Sequence, residues 1–140
     1  MSWVKVKSAA AAFAVVAATA AAVMTPSVAS ASTGGGCTAD FVISPCIASD
    51  SNDNIVPDMY VHSAAWGEYV CSAVRFVLRD ITAGYNIYDS IYKGWCNVGH
   101  YVPHTAFMGL AHNHAYMTIV WVLPGYGGPA YEVKSPELHY

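Results

Sequence analysis

Four histidines lie close enough along the chain to suggest a metal site. His112 and His114 are two residues apart, so that on a strand both side chains point to the same side, and His100 and His104 come shortly before them. Zinc or copper would need one or two further ligands from elsewhere in the fold. The segment from His112 to His114 also lies between two strand-like runs and is equally typical of a hairpin turn. We therefore predict a protein that holds no metal and no cofactor.

Other residues that could act as nucleophiles or acids show no recognisable catalytic order. The sequence has no Gly-x-Ser-x-Gly motif, and oxidation of its cysteines would leave no thiolate nucleophile. Paired carboxylates could hydrolyse a glycoside, but the acids of this chain lie at the ends of elements or on polar faces, where a solvated acid is the ordinary case. These acids are Glu68, Asp80, Asp89, Glu132 and Glu137. The pattern predicts a protein that is not an enzyme.

The cysteines indicate two disulfides. Cys37, Cys46, Cys71 and Cys96 are four cysteines in a short chain without a Cys-x-x-Cys zinc spacing. Three pairings are possible, and we favour the local one, Cys37–Cys46 and Cys71–Cys96. The longer of these bridges, Cys71–Cys96, would stabilise the fold by about 3 kcal/mol, because it reduces the entropy of the unfolded chain.

The first residues have the three parts of a secretory signal. Lys5 and Lys7 are followed by an apolar run from Ala9 to Met24, and Ala29-Ser30-Ala31 supplies the small residues of a cleavage site. The apolar run of 16 residues is shorter than the ~20 that a membrane span needs. We predict a signal peptide over 1–31, cleavage after Ala31, and a secreted, extracellular protein.

Cleavage leaves 109 residues, enough for one domain. The remaining chain has four cationic side chains and nine carboxylates, so its net charge is −5. This balance argues against nucleic acids and anionic membranes as partners, because both require basic patches. We expect other secreted proteins as partners, in a hetero-oligomer.

Strand periodicity dominates the chain from Met59 onward. Val74, Phe76 and Leu78 alternate with a partly charged set of residues, and the run 86–92 alternates too. Tyr116–Leu123 consists almost entirely of β-branched and aromatic residues, as in a central strand covered on both faces. Glycines and prolines interrupt these runs at short intervals. We predict a mostly β fold, a small antiparallel sandwich or barrel of six or seven strands, with the β domain over 59–140.

The segment 32–58 has a different composition. Its first residues, Ser32 and Thr33, are followed by three consecutive glycines, and it contains the apolar run Phe41, Val42 and Ile43 and a later polar run of Ser, Asn and Asp over 49–54. We predict a flexible N-terminal arm, pinned by the first disulfide, whose apolar run binds a partner. The alternative is that this run forms an edge strand of the domain itself.

Tyrosines form a second candidate contact surface. Tyr85, Tyr88 and Tyr92 lie on one strand, with Trp95 just beyond it, and the side that carries Tyr88 and Tyr92 contains no aliphatic residue. Half-polar aromatic side chains are over-represented in interfaces. A third candidate is Tyr126, in a loop of glycines between two prolines. The alternatives are a solvent-exposed sheet side and an ordinary hairpin loop.

The overall layout resembles small secreted proteins of filamentous actinomycetes: an Ala-rich signal, a Gly-rich mature start, four cysteines and a short β domain. Within that group it is similar to the small adapter subunit of umbrella toxin particles. The resemblance implies a non-catalytic protein-binding module, an adapter or structural subunit of an extracellular complex that could be an antibacterial toxin. The alternatives are a proteinaceous inhibitor of a secreted protease or amylase and a small metal-dependent enzyme.

Overall fold

The computed structural model describes the residues from 32 to 140 except 65–69, 104, 126 and 127. The predicted signal peptide, His104 and Tyr126 therefore lie outside the described residues. Within the described part the chain forms strands and turns, and no helix there could span a membrane. Its strands are β1 (Thr33–Gly34), β2 (Gly36–Cys37), β3 (Ile43–Ser49), β4 (Ile55–Val61), β5 (Cys71–Asp80), β6 (Tyr85–Tyr92), β7 (Gly99–Tyr101), β8 (Ala115–Pro124), β9 (Tyr131–Lys134) and β10 (Leu138–His139).

The strands form two antiparallel sheets that pack face to face. The six-stranded sheet has the order β1-β10-β8-β5-β6, with β9 also paired to β8, and the four-stranded sheet has the order β2-β3-β4-β7. The core between them contains Ile43 and Met59 from the smaller sheet and Phe76 and Val120 from the larger one. The predicted mostly β, antiparallel sandwich is therefore confirmed, and two open sheets describe it without a closed barrel.

The alternation in β5 separates an inner from an outer side. Val74, Phe76 and Leu78 point inward and are fully buried, whereas Arg75 and Arg79 on the outer side are partly exposed. This is the pattern that the sequence predicts for the strand.

Strand β8 lies at the centre of the six-stranded sheet, but only one of its sides is covered by the other sheet. Val120 and Val122 point into the core and are fully buried. Met117 and Trp121 on the opposite side remain partly exposed. The expectation of a strand covered on both faces is met only in part, because Ile119 on the outer side is 6% exposed but no second sheet packs there within the described residues.

The segment 32–58 belongs to the sandwich, and the prediction of a flexible arm ahead of a domain that begins at Met59 is wrong. Strands β3 and β4 are the inner strands of the four-stranded sheet and pair along their full length. Ile43, Ile47 and Ile55 are completely buried. Short apolar runs with strand alternation supply this inward side, and the polar residues between them form only a turn.

Three consecutive glycines carry the chain from one sheet to the other, because β1 pairs with β10 and β2 pairs with β3. Gly34, Gly35 and Gly36 all have a positive φ, between 77° and 102°, which side chains disfavour. A Cβ atom on Gly34 would lie 2.5 Å from the carbonyl oxygen of Glu137, and one on Gly35 would lie 2.7 Å from that of Ile47. These glycines therefore serve a defined backbone path and not the flexibility that we predicted.

Both disulfides pair as predicted. Cys37 and Cys46 lie directly opposite each other on β2 and β3, with Cα atoms 4.0 Å apart. Cys71, at the start of β5, is joined to Cys96 in the connection between β6 and β7, with Cα atoms 5.8 Å apart. Two disulfides in so small a domain indicate an oxidising, extracellular setting.

Candidate binding faces

The outer side of the four-stranded sheet concentrates exposed apolar side chains. We call it the aromatic face and define it by residues of the strands of this sheet and of the segments next to them: Phe41, Val42, Tyr60, His62, Val98, His100 and Val102. Among the described residues eight large apolar side chains are exposed; of these, Tyr60 (38% exposed) lies on β4, Val98 (62%) and Val102 (41%) flank β7, and Phe41 (95%) precedes β3. Exposed apolar residues that occur singly need no explanation, but their concentration on one side of a sheet marks a candidate interaction surface.

Strand pairing places the residues of the aromatic face side by side. Tyr60 of β4 lies opposite Ser44 of β3 and His100 of β7. His62 follows two residues after Tyr60, and its backbone amide donates to the carbonyl of Val42 at 2.8 Å. The face therefore extends across three neighbouring strands of a rigid sheet.

The rings of this face are held by stacking and by hydrogen bonds. Tyr60 stacks between two imidazoles, with its centroid 4.3 Å from that of His100 and 6.2 Å from that of His62. Nε2 of His100 lies 2.6 Å from Oδ2 of Asp58, and Nε2 of His62 lies 2.9 Å from Oγ of Ser44. Because these side chains are already ordered, binding would cost little side-chain entropy.

Phe41 projects from a short loop that is closed by the first disulfide. The Asp40 carboxylate accepts hydrogen bonds from the amides of Val42 at 2.8 Å and Ile43 at 3.0 Å, and from the Tyr131 hydroxyl at 2.7 Å. Partial burial alone would raise the pKa of Asp40, but these hydrogen bonds lower it below its usual value. The loop is thus fixed beneath an almost fully exposed phenylalanine.

The Ser44–His62 pair has the distance of a nucleophile and its base. However, Ser44 is only 5% exposed and lies within β3, packed under the rings of the aromatic face. A substrate carbonyl has no access to its hydroxyl in this arrangement, so the pair is better explained as a structural contact.

The outer side of the six-stranded sheet forms a second surface. We call it the cationic face and define it by Arg75, Arg79, Ile91, Met117, Ile119, Trp121, Glu132 and Lys134. The Arg75 guanidinium binds the Asp89 carboxylate through two hydrogen bonds of 2.8 and 2.5 Å and lies over the Trp121 ring, 5.1 Å from its centroid. Arginine and tryptophan are the residue types that most often dominate binding energies in interfaces.

The predicted tyrosine surface is wrong, because its side of β6 faces the core. Tyr88 and Tyr92 lie opposite Leu78 and Val74, which point inward, and their hydroxyls hydrogen-bond to each other. Trp95 stacks on Tyr92 with the ring centroids 3.7 Å apart. Burial, together with the Tyr88 hydroxyl, raises the pKa of Tyr92 to about 12. These aromatic residues therefore close the side of the sandwich.

The other predicted binding residues have mixed outcomes. Phe41 is exposed and Val42 is half-buried, and both belong to the aromatic face. Ile43 is fully buried in the core and is not available to a partner. Tyr85 is exposed at the start of β6, away from the aromatic face, on the other sheet.

The three described histidines of the candidate metal site, His100, His112 and His114, have different partners. His112 lies in a turn with Asn113, which has a φ of 64°, and its ring stacks on Tyr140. His114 binds the buried Asp80 carboxylate through Nδ1 at 2.7 Å, whereas His100 belongs to the aromatic face. No group of three or more potential metal ligands occurs among the described residues.

Sequence reasoning missed the aromatic face because it placed the start of the domain at Met59. The run from Pro57 to His62 alternates Pro, Met and Val with Asp, Tyr and His, which is the pattern of a strand with a polar and aromatic outer side. That alternation would have identified Tyr60 and His62 as neighbours on one surface. The contribution of His100 depended on the pairing of β4 with β7.

Comparison of the chain with protein families, with curated proteins and with solved structures finds no match in any of the three. The residues and their geometry are therefore the basis of the functional assignment.

Proposed function

We propose that this chain is a secreted, non-catalytic protein-binding module that serves as an adapter or structural subunit of an extracellular complex. The observation that carries the proposal is the aromatic face, where the exposed Tyr60 stacks against His62 and His100 and where three further exposed apolar side chains lie next to the same strands in the chain. Its rings are ordered by stacking and hydrogen bonds, and the loop that carries the exposed Phe41 is held by the Asp40 carboxylate. A partner that covers these side chains gains about 25 cal/mol for each Å² of apolar surface removed from water.

The finer part of the proposal comes from the resemblance to actinomycete proteins. According to this finer proposal, the complex is an antibacterial toxin particle of the umbrella type, and this chain joins a larger subunit to the toxin polypeptide. The two disulfides are in keeping with a secreted subunit, which has to persist in an oxidising medium.

Site-specific photo-crosslinking tests the use of the aromatic face. The photoreactive amino acid benzoylphenylalanine replaces Phe41 or Tyr60 in the secreted protein, which is irradiated in the culture medium of its producing organism. Tyr85, which is 57% exposed and lies at the start of β6 in the other sheet, is the matched control position. We expect the same secreted protein to be cross-linked from positions 41 and 60 and not from 85. Equal labelling from all three positions would contradict the proposal.

Affinity measurements with the cross-linked partner then quantify the face. Phe41→Ala combined with Tyr60→Ala should weaken binding roughly thirtyfold or more, as expected when central aromatic contacts are removed. Tyr85→Ala, in the other sheet, should leave the affinity unchanged. Circular dichroism and the thermal midpoint verify that each variant is folded, so that a loss of affinity reports on contacts and not on stability.

A second candidate function, inhibition of a secreted hydrolase, is favoured by the Phe41 loop. An exposed phenylalanine on a short, disulfide-closed loop that is braced by Asp40 is suited to insertion into an apolar specificity pocket. Inhibition assays against chymotrypsin-like and subtilisin-like proteases and against amylases separate the two functions. An inhibitor should bind at the active site and lose its effect on Phe41→Ala, whereas an adapter leaves all these enzymes active.

A further inference from the structure

The cationic face concentrates the basic residues of an acidic protein. The described part of the chain contains four lysines and arginines, and three of them, Arg75, Arg79 and Lys134, lie on this face. Eight carboxylates occur in the same part of the chain, and only Asp89 and Glu132 lie on this side. The face therefore carries a small excess of positive charge on a molecule that is otherwise strongly negative.

The basic side chains differ in how far their charge is neutralised. Arg75 is held by Asp89, and Nζ of Lys134 lies 2.7 Å from Oε1 of Glu132. The Arg79 guanidinium instead donates to Oδ1 of Asn86 at 3.3 Å and to the carbonyl of Gly84 at 3.1 Å, both uncharged oxygens. Arg79 thus offers a positive charge that these contacts leave uncompensated.

An apolar groove lies between Arg79 and Lys134. Its floor consists of Met117, Ile119 and Trp121, successive outward residues of β8, Ile81 and Glu132 complete its lining, and its volume is about 290 Å³. A groove of this size accepts one or two side chains of a partner, with a cation at each side of an apolar floor.

We propose that the cationic face binds a second protein through a segment in which carboxylates alternate with apolar side chains. One carboxylate would pair with Arg79, a second would compete with Glu132 for Lys134, and apolar groups would fill the groove over Met117. Nucleic acids and anionic membranes fit less well, because a continuous row of phosphates would meet Glu132 and Asp89, whereas a segment with spaced carboxylates can place apolar side chains next to these two acids. The inference rests on the proposed adapter function and extends it, since the two faces lie on opposite sides of the sandwich and can be occupied together.

Short synthetic peptides test the chemistry of this partner. In all three peptides every second residue is leucine or phenylalanine. The residues between them are all glutamate in the first peptide, all glutamine in the second and all lysine in the third. Binding to the ¹⁵N-labelled protein is followed by the amide shifts of Met117, Ile119 and Trp121. We expect the glutamate peptide to bind most tightly, and its affinity to fall when salt rises from ~50 to ~500 mM, because screening weakens exposed charge pairs.

Charge reversal with a matched control locates the contact. Arg79→Glu with Lys134→Glu should weaken the glutamate peptide about tenfold or more, since each change replaces an attraction by a repulsion. Lys93→Glu changes the charge in the same sense outside the face and should have little effect. If Lys93→Glu weakens binding by as much per reversed charge as the double variant Arg79→Glu/Lys134→Glu does, only the net charge of the protein matters and the inference is wrong.

The outcomes separate this inference from the proposed function. Equal binding of all three peptides, or preference for the lysine peptide, overturns the acidic partner. Shifts confined to the aromatic face, or no shifts at all, overturn binding at the cationic face. In each of these cases the cross-links from positions 41 and 60 are unaffected, so the adapter proposal is decided by its own experiment.

Discussion

The two outer sides of this sandwich are built from the same strand alternation but differ in their chemistry. The aromatic face contains no lysine or arginine, and its rings are ordered by Asp58 and Ser44. The cationic face carries most of the basic side chains of the described residues, with one arginine packed on Trp121. A single core underlies both, so each face is rigid without a layer of its own. A small two-layer domain can therefore present two unlike surfaces to two partners.

The largest effect is expected when the shared core is changed rather than one face. Phe76 is fully buried and contacts Trp95 edge to face, with the ring centroids 6.0 Å apart. Phe76→Ala should lower the free energy of unfolding by about 3–5 kcal/mol, since it removes buried apolar area and leaves a cavity. Phe41→Ala makes the same chemical change on the aromatic face and should alter stability by less than about 0.5 kcal/mol. Urea denaturation measures both. Similar losses for the two variants would show that Phe41 is part of the packed structure and would remove the basis of the comparison.

An intermediate effect is expected in the three-glycine segment that connects the two sheets. Gly35→Ala introduces a Cβ atom 2.7 Å from the Ile47 carbonyl oxygen at a φ of 77°, so both sterics and backbone conformation oppose it. We expect a loss of about 2–3 kcal/mol in the free energy of unfolding. Gly84→Ala has a φ of 76° but no atom near the new Cβ, and it should cost only about 1–2 kcal/mol. If the two variants lose the same stability, the close approach at Gly35 is relieved by a small shift and does not constrain the sheets.

The smallest effect is expected from acid, which acts on one carboxylate at each face. The Arg75 guanidinium lowers the pKa of Asp89, and hydrogen bonds lower that of Asp40 against the opposite effect of its burial. A lowered folded pKa contributes stability that is present above the unfolded value of about 4 and is lost as the pH falls through the folded pKa. Both side chains are partly exposed, so screening keeps the contribution small.

Asp40→Asn and Asp89→Asn should each flatten the decline of the thermal midpoint below pH ~4. The chemical shifts of the Val42 and Ile43 amides should follow the titration of Asp40. The pH dependence of these two shifts should be the same in Asp89→Asn as in the unmodified protein. Unchanged slopes in both variants would mean that the acid response comes from other carboxylates and that the Phe41 loop is not held by Asp40.

Local pattern was sufficient for part of this fold. The alternation of Val74, Phe76 and Leu78 with Arg75 and Arg79 predicted which side of β5 is buried. In a strand, the three apolar residues share one side and the two arginines share the other. The disulfide pairing followed from the shortest loops. The same reasoning failed for the glycines before Cys37, because three glycines are equally compatible with a flexible linker and with a path of positive φ. Only the contact with the Glu137 and Ile47 carbonyls distinguishes the two.

The candidate faces required the tertiary structure. Alternation in β6 separates Ile91 from Tyr88 and Tyr92, but it does not state which side a second sheet covers. The sandwich buries the tyrosines and exposes Ile91, the reverse of what residue polarity predicts. By itself the sequence determined a disulfide-bonded β protein with few positive charges, because composition, period and cysteine spacing are local properties. Which surfaces remain open to partners was decided by the pairing of β4 with β7 and of β8 with β9, since those contacts join residues far apart in the chain.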